Sequence, residues 1–328
     1  MLPLLHIPDG FLAPQVALTL WAATALVVGI ALRRIGDRDA TTGQQTILMG
    51  ISGAFIFAAQ MFNFPVAAGT SGHLLGGVLA GYLLGPWAGS VVMATVIGIQ
   101  ALLFQDGGLL ALGANIFNMG VIGTLGGTLV ARGIGTTLGR TPRASRLGVG
   151  IAAWLSTLAA AGFTTLQLGL SGTTDVRLGL PAMLGTHALI GIGEALISVA
   201  ALGFVAASAP EILRSRESQD AGQHPSPVRR IIAAAAVIGT VVICASLFAS
   251  ASPDGLMKIA HDFGFASKES AAPFELFAGY SLPGLEGPVA TVAAGLVGVV
   301  IVASLLVDRK STRLNSSHVA LSRMPSSA

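Results

Sequence analysis

The sequence predicts an all-α, polytopic membrane protein, and three observations support this fold class. Of 328 residues, 53% are hydrophobic and only 10% are charged, and the mean hydropathy is +0.77. Soluble domains carry roughly 25% charged residues, so this chain has too little charge to cover a soluble surface. The 43 glycines favour close helix packing within a bilayer. The net charge of +3 comes from arginines in a few loops and does not indicate nucleic-acid binding.

Nine apolar stretches are predicted to form the membrane helices. The third is short, and Pro86 separates it from the fourth, so we expect it to be a broken or tilted element. The stretches lie near 14–32, 44–62, 74–85, 87–104, 108–131, 148–170, 183–207, 231–249 and 287–307.

Three arginine-rich loops predict the topology. Loops rich in Lys and Arg stay in the cytoplasm, and even numbers of apolar stretches separate these three loops. The N-terminus would then lie outside a prokaryotic inner membrane, together with the His73 region, the 105–108 turn and the loops at 171–182 and 250–286. The loops contain Arg33, Arg34 and Arg38; Arg132, Arg140, Arg143 and Arg146; and Arg214, Arg216, Arg229 and Arg230.

A polar, proline-containing linker at 208–230 divides the chain into two units. Residues 5–207 form a predicted seven-span unit, and residues 231–307 form a two-span unit with one external loop. We find no internal repeat. The stretch 308–328 resembles the translation of a sequencing adapter, so we expect it to be a non-native tail. The single Cys244 excludes an internal disulfide and a multi-cysteine metal site.

Two histidines in glycine-containing stretches are candidate metal ligands. His6 lies in the run HIPDGFL, and His73 lies in GTSGHLLGG beside strongly apolar segments. Imidazole nitrogen is a common ligand for nickel, cobalt, copper and zinc. The pair indicates a transition-metal pocket within or at the edge of the bilayer. Residue type alone leaves open that both are hydrogen-bonded structural histidines.

Several motifs in order carry a resemblance to a known family. HIPDGFL at 6–12 is followed by NFPV at 63–66 leading to GTSGH at 69–73, by LGPWAG at 84–89, and by Gln100 through DGG to GANIFNM at 113–119. Over about residues 5–207, the chain resembles the CbiM/NikM family, which are substrate-binding membrane components of energy-coupling factor (ECF) transporters for cobalt and nickel.

The second unit resembles the accessory component NikN in its PDGLE-type form. Pro253-Asp254-Gly255-Leu256 opens the external loop, and Tyr280 and Pro283-Gly284 close it. Met257 stands where the name of the motif implies glutamate.

The family resemblance implies a near-square-planar set of nitrogen ligands. These are the N-terminal amine, the backbone nitrogen and imidazole of the second residue, and a distal histidine. Square-planar nitrogen ligation is typical of Ni(II) and Cu(II). Carried onto this sequence, His6 is the second residue, His73 is the distal histidine, and Leu5 supplies the amine. Leu5 does so only if translation starts there from a leucine-type start codon. Thr70 and Ser71 are candidates to orient His73.

Other polar residues in the apolar stretches allow two interpretations. His187 and Glu194 are seven residues apart and share one helix face; they are either functional or a mutually bonded pair that fixes helix packing. Gln100, Asn115 and Asn118 are expected to close the pocket or to satisfy broken backbone. In the external loop, Asp254, His261 and Asp262 either collect metal or are solvated.

The chain contains no G-x-x-x-x-G-K-[ST] motif, so we expect it not to hydrolyse ATP itself. The family resemblance implies a transporter component and not an enzyme. The resemblance implies a coupling protein of CbiQ/NikQ type and ATPase subunits of CbiO/NikO type, with Ni²⁺ or Co²⁺ as transported substrate. The PDGLE-like unit slightly favours nickel. An ion-coupled secondary transporter would show inverted repeats, and an intramembrane metalloenzyme would show a motif such as H-E-x-x-H; neither is found.

Overall fold

A computed structural model describes residues 6–36, 43–67, 69–139, 141–208, 227–271, 274 and 276–307. Three predictions therefore fall outside the described residues. They concern Leu5 as the N-terminal amine, most of the linker at 208–230, and the tail at 308–328.

Each of the nine apolar stretches contains a helix, which confirms a mostly helical fold. The helices are α1 Pro14–Gly36, α2 Gly43–Gln60, α3 Gly77–Leu84, α4 Pro86–Ile99, α5 Leu112–Asn115, α6 Thr128–Thr137, α7 Pro142–Leu170, α8 Val176–Ser208, α9 Pro227–Phe248, α10 Gly255–Asp262 and α11 Gly287–Val307. π-Helical segments extend α4 over Gln100–Phe104 and join α5 to α6 over Ile116–Gly127.

Six of the helices in the described chain are long and apolar enough to cross a membrane. They cover 14–36, 86–104, 112–137, 142–170, 176–207 and 287–307. Helix α3 has eight residues, about 12 Å at 1.5 Å per residue, which is shorter than a hydrocarbon core of about 30 Å. The seven-plus-two arrangement of crossings stays a prediction.

Small residues allow the helices around α3 to approach closely. A Cβ on Gly77 would lie 2.3 Å from the Met119 carbonyl oxygen, and one on Gly89 would lie 2.8 Å from the backbone nitrogen of Gly81. Large apolar side chains point outward instead: Leu18 and Leu26 of α1 are 64% and 65% exposed. This arrangement, with small residues inside and leucines outside, is typical of helices packed within lipid.

An irregular segment at 61–76, which we call the His73 segment, lies between α2 and α3. It contains a two-residue antiparallel ladder, β1 Phe64–Pro65 and β2 Ser71–Gly72. The Phe64 ring packs against Gly193 in the middle of α8. Non-helical backbone at membrane depth is tolerated only where protein surrounds it, and β2 is fully buried.

The second unit packs directly onto the first. Helix α11 lies along α2, and Gly298 of α11 contacts the rings of Phe57 and Phe104. Tyr280 stacks on Phe104 with ring centroids 4.9 Å apart. The two units therefore share one buried aromatic cluster. It lies at the end of the molecule where the predicted external segments meet.

Candidate metal site

The structure brings the two candidate histidines together. His6 is 3% exposed and His73 is 8% exposed, and their ring centroids are 5.5 Å apart with an interplanar angle of 86°. The Nε2 atom of each ring is buried and has no hydrogen-bond partner among the described residues. Buried polar atoms in folded proteins are nearly always partnered. Two buried, unpartnered nitrogens on neighbouring imidazole rings are therefore typical of a site that takes a ligand.

The other nitrogen of His6 faces Asp106. Nδ1 lies 3.0 Å from the Asp106 carbonyl oxygen and 3.3 Å from its carboxylate Oδ1. Burial lowers the pKa of His6, but the charge and hydrogen bonds of Asp106 outweigh burial and raise it above the usual value. Asp106 thus favours a proton on Nδ1 and leaves Nε2 as the nitrogen with a free lone pair.

Residues 6–12, which we call the N-terminal segment, are held by the 105–115 region. Asn115 forms two bonds with Ile7: its Oδ1 accepts from the backbone N–H at 3.0 Å, and its Nδ2 donates to the carbonyl at 3.0 Å. The Gly108 N–H donates to the same carbonyl. This arrangement supports the expectation that Asn115 satisfies irregular backbone.

Asp9 anchors the same segment through its side chain. Its carboxylate accepts from the backbone N–H groups of Leu109, Leu110 and Ala111 at 3.0, 2.8 and 3.0 Å. A carboxylate is a favourable acceptor for free N–H groups that lead into a helix. Asp9 therefore fixes the N-terminal segment against the start of α5.

The Glu194 carboxyl group accepts from free backbone N–H groups of the His73 segment, as Asp9 does for the 105–115 region. Its two oxygens accept from the backbone N–H groups of Leu75 at 2.6 Å and Gly76 at 2.9 Å, at the start of α3. His187 instead places Nδ1 2.8 Å from the Met183 carbonyl. The mutual His187–Glu194 pair is therefore wrong, because the unpaired N–H groups of a buried helix start compete for the same carboxylate.

The second unit closes over the His73 segment. Ser71 donates from its backbone nitrogen to the Pro253 carbonyl at 2.9 Å and from Oγ to the Ser252 carbonyl at 2.8 Å. Asp254 caps α10 by accepting from the Met257 N–H at 2.9 Å. The Thr70 N–H donates to the Ala67 carbonyl. These bonds orient the segment; that Thr70 and Ser71 orient the His73 ring itself stays a prediction.

Two residues near His6 were not among the candidate ligands: Asp106, which contacts it directly, and Tyr280, which bonds Asp106. Asp106 appeared only within a motif, and Tyr280 only as a marker of the second unit. Tyr280 donates its hydroxyl to Asp106 Oδ2 at 2.7 Å. The available signal was that Asp106 is the lone acidic residue between Asp39 and Asp175, and such residues in apolar stretches are candidates for function.

The remaining candidates lie as follows. Gln100 is fully buried, and its side chain lies beside Tyr280. Asn118 donates hydrogen bonds to Thr164 and Gln167 of α7 and so helps to pack these helices together. His261 and Asp262 are exposed, as expected for a solvated loop.

The electrostatics at His73 favour a neutral ring. Burial, followed by the neighbouring imidazole of His6, lowers the pKa of His73 to about 3. A neutral imidazole is the form that binds metal. Within the described residues no group of three or more His, Cys, Asp and Glu side chains could hold a metal ion. Two imidazoles would therefore need further ligands, such as nitrogens from the chain start.

Comparisons with known proteins identify the families that the two units match. Residues 6–212 match the family model of the cobalt uptake substrate-specific transmembrane region, CbiM, and residues 228–308 match the PDGLE domain. An Archaeoglobus fulgidus protein assigned as a fused nickel transport protein, NikMN, is 35% identical over 309 residues, covering 92% of this chain and 96% of that protein. The fused nickel transport protein NikMN of Rhodobacter capsulatus is 32% identical over 73% of this chain and 71% of its own length.

A solved structure shares the fold of the first unit. A crystal structure of a transition metal transporter superposes with a TM-score of 0.57 and 32% sequence identity, covering 64% of this chain and 97% of that one. Because the CbiM model matches more than half of the residues, the chain belongs to the CbiM family of cobalt uptake transmembrane proteins and carries a PDGLE domain behind the CbiM region.

Proposed function

We propose that this chain is the substrate-capturing membrane component of an ATP-driven, ECF-type importer for Ni²⁺ or Co²⁺. The observation that carries the proposal is the pair of neighbouring buried imidazoles, His6 and His73, whose Nε2 atoms have no partner in the described chain. Nitrogen ligands suit both ions. The site would capture metal from the outer face of a prokaryotic inner membrane.

The ligand set can be completed in two ways that use different nitrogens of His6. A chelate ring through the backbone nitrogen of His6 closes only through Nδ1, the atom that now faces Asp106. Ligation through Nε2 leaves that contact intact and places the metal between two rings. In the first case Leu5 would be the chain start and would add its amine. Mass spectrometry of the N-terminus of the metal-loaded protein tests that case, which fails if residues 1–4 are retained.

Calorimetry with Ni²⁺ and Co²⁺ on the detergent-purified chain tests the site. We expect one metal per chain, with binding lost in His6→Ala and in His73→Ala. His261→Ala is the matched control, because His261 is exposed and should leave the affinity unchanged. Unaltered binding in both site variants would exclude the pair as ligands. The ratio of the two dissociation constants would decide between nickel and cobalt.

Transport requires partners, because the sequence lacks a phosphate-binding loop. We propose a membrane coupling protein of CbiQ/NikQ type and ATPase subunits of CbiO/NikO type. Proteoliposomes that contain all components should accumulate metal only with ATP. Uptake by this chain alone, abolished by an ionophore, would instead support the ion-coupled secondary transporter.

A further inference from the structure

Asn63 is a buried polar residue of the His73 segment that the proposed site does not use. It is fully buried, and neither of its side-chain atoms, Oδ1 or Nδ2, has a hydrogen-bond partner among the described residues. A buried polar group without a partner destabilises a fold and is rare in folded proteins. The hydrogen bonds of the described fold therefore do not account for an amide at this position.

The ladder in the His73 segment places Asn63 beside His73. Its antiparallel register pairs Phe64 with Gly72, and one further step pairs Asn63 with His73. Directly opposed residues of an antiparallel pair project to the same face, with Cβ atoms about 4.5–5.5 Å apart. The amide and the imidazole are therefore neighbours on one face of the ladder.

That face points away from α8 and toward the candidate metal site. The Phe64 ring packs against Gly193 of α8. Because successive side chains alternate between the two faces of a strand, Asn63 and His73 point to the opposite side. There the His73 ring lies beside the His6 ring, with centroids 5.5 Å apart. The Asn63 amide therefore borders the pair of imidazoles.

The backbone of Asn63 is fixed, while its amide is free to take a partner. Its backbone carbonyl accepts from the Ser250 N–H at 2.8 Å, and this bond does not depend on the side chain. Ser71 shares the face of His73, but its Oγ already donates to the Ser252 carbonyl at 2.8 Å. Asn63 is therefore better suited than Ser71 to bond the ring of His73.

We propose that Asn63 is a positioning residue for the metal ligand His73, with Oδ1 accepting a hydrogen bond from the ring N–H that faces away from the metal. A neutral imidazole carries one proton, so a metal on one nitrogen leaves the proton on the other. A ligating histidine almost always donates this N–H to an oxygen acceptor, which fixes the tautomer and the ring orientation. This inference rests on the proposed function.

Two substitutions in the full chain, read by calorimetric Ni²⁺ affinity, test the acceptor. Asn63→Leu removes it at a similar side-chain shape, and we expect the affinity to fall about 10- to 100-fold, as for other outer partners of ligating histidines. Asn63→Asp keeps an oxygen acceptor, so its affinity should be at least that of the parent chain. An equal loss in both variants would overturn the proposal.

Thermal unfolding of the metal-free protein separates positioning from a structural role. Because the amide has no partner among the described residues, Asn63→Leu should leave the unfolding temperature unchanged or raise it. Asn118→Leu is the matched control: its amide bonds Thr164 and Gln167, so it should lower the unfolding temperature and keep the Ni²⁺ affinity. A drop in unfolding temperature in Asn63→Leu like that of the control would indicate a structural role and overturn the proposal.

The absorption spectrum of the Ni²⁺-saturated protein shows whether Asn63 acts through His73 or touches the metal. A positioning residue leaves the set of ligands unchanged, so the parent chain and Asn63→Leu should share the same d–d bands. Shifted bands would make Asn63 itself a ligand and overturn the positioning role. If Asn63→Leu does not fold, Asn63→Ala takes its place, and equal affinities in Asn63→Ala and Asn63→Asp would overturn the proposal.

The failure of this inference is distinguishable from failure of the metal site. If His73→Ala abolishes binding while Asn63→Leu binds like the parent chain, the site stands and the positioning role falls. If His73→Ala leaves binding unchanged, the proposed function itself falls.

Discussion

The N-terminal segment and the His73 segment bring one imidazole each to the same place, but they are held differently. The 105–115 region holds the N-terminal segment at several points through Asn115, Asp9 and the Gly108 N–H. Thr173 and Ser270 add bonds to the carbonyls of Phe11 and Asp9. The His73 segment is held by the buried carboxylate of Glu194 on α8 and by the Gln60 amide of α2, which donates to the Leu75 carbonyl at 2.8 Å. Ser71 adds bonds to the second unit.

The difference shows how the backbone hydrogen-bonding groups of irregular segments find partners at the end of the helix bundle and beside its middle. The N-terminal segment lies at the end of the bundle, where Asp9 is partly buried and several weak anchors suffice. The His73 segment lies beside the middle of α8, where an unpaired N–H costs several kcal/mol. One buried carboxyl group that accepts from two N–H groups meets this need. We therefore expect the His73 segment to be the more sensitive to single changes.

Glu194→Ala should have the largest effect. It leaves the N–H groups of Leu75 and Gly76 buried without their acceptor, at about 1–3 kcal/mol each, and frees the start of α3. We expect a loss of about 2–6 kcal/mol in unfolding free energy and of metal binding. Thermal unfolding and calorimetry measure both.

Ser198→Ala provides the control for Glu194→Ala. Ser198 lies one turn further along α8, is fully buried, and has a hydroxyl with no partner among the described residues. Its removal should be nearly neutral. Equal losses in the two variants would show that α8 is sensitive at any buried polar position and that Glu194 has no special role.

Gly107→Ala should be the most damaging change near the N-terminal segment. Gly107 has a φ of +97°, and an added Cβ would lie 2.7 Å from the Cβ of His6 and 2.9 Å from Nδ2 of Asn115. We expect metal affinity to fall by about 100-fold, the upper range for displacing the surroundings of a ligand. Calorimetry gives the value.

Gly139→Ala separates the clash at Gly107 from backbone strain. Gly139 has a similar φ of +94° but nothing within 4 Å of an added Cβ. This variant should lose about 1–2 kcal/mol of stability from the left-handed conformation and keep its metal affinity. A comparable loss of affinity would remove the steric argument for His6.

Asn115→Ala should have a moderate effect, because other anchors remain. The Ile7 N–H loses its acceptor, while the Ile7 carbonyl keeps the bond from Gly108. We expect about 1–3 kcal/mol in stability and about a 10-fold lower affinity. Asn118→Ala should cost similar stability through Thr164 and Gln167 without changing affinity. A reversed pattern would place Asn118, not Asn115, at the site.

These contrasts also explain which features could be predicted from the sequence. The helices followed from runs of apolar residues, a local property, and the histidines from residue type and motif. The partners of Glu194 could not be predicted, because Leu75 lies 119 residues away. Nothing in the sequence around Glu194 tells whether its carboxyl group accepts from backbone N–H groups or from His187. Tyr280 and Asp106 meet across 174 residues, through packing of the two units.

Ser71→Ala should have the smallest effect and tests the contribution of the second unit to the His73 segment. It removes the bond from Oγ to the Ser252 carbonyl but keeps the backbone bond to Pro253. One hydrogen bond contributes about 1 kcal/mol, equivalent to roughly a fivefold change in affinity. Ser246→Ala, which removes a bond within α9 to Val242, should leave affinity unchanged. A Ser71→Ala variant with unchanged affinity and lowered stability would mean that the second unit supports the fold of the His73 segment but not its metal-binding geometry.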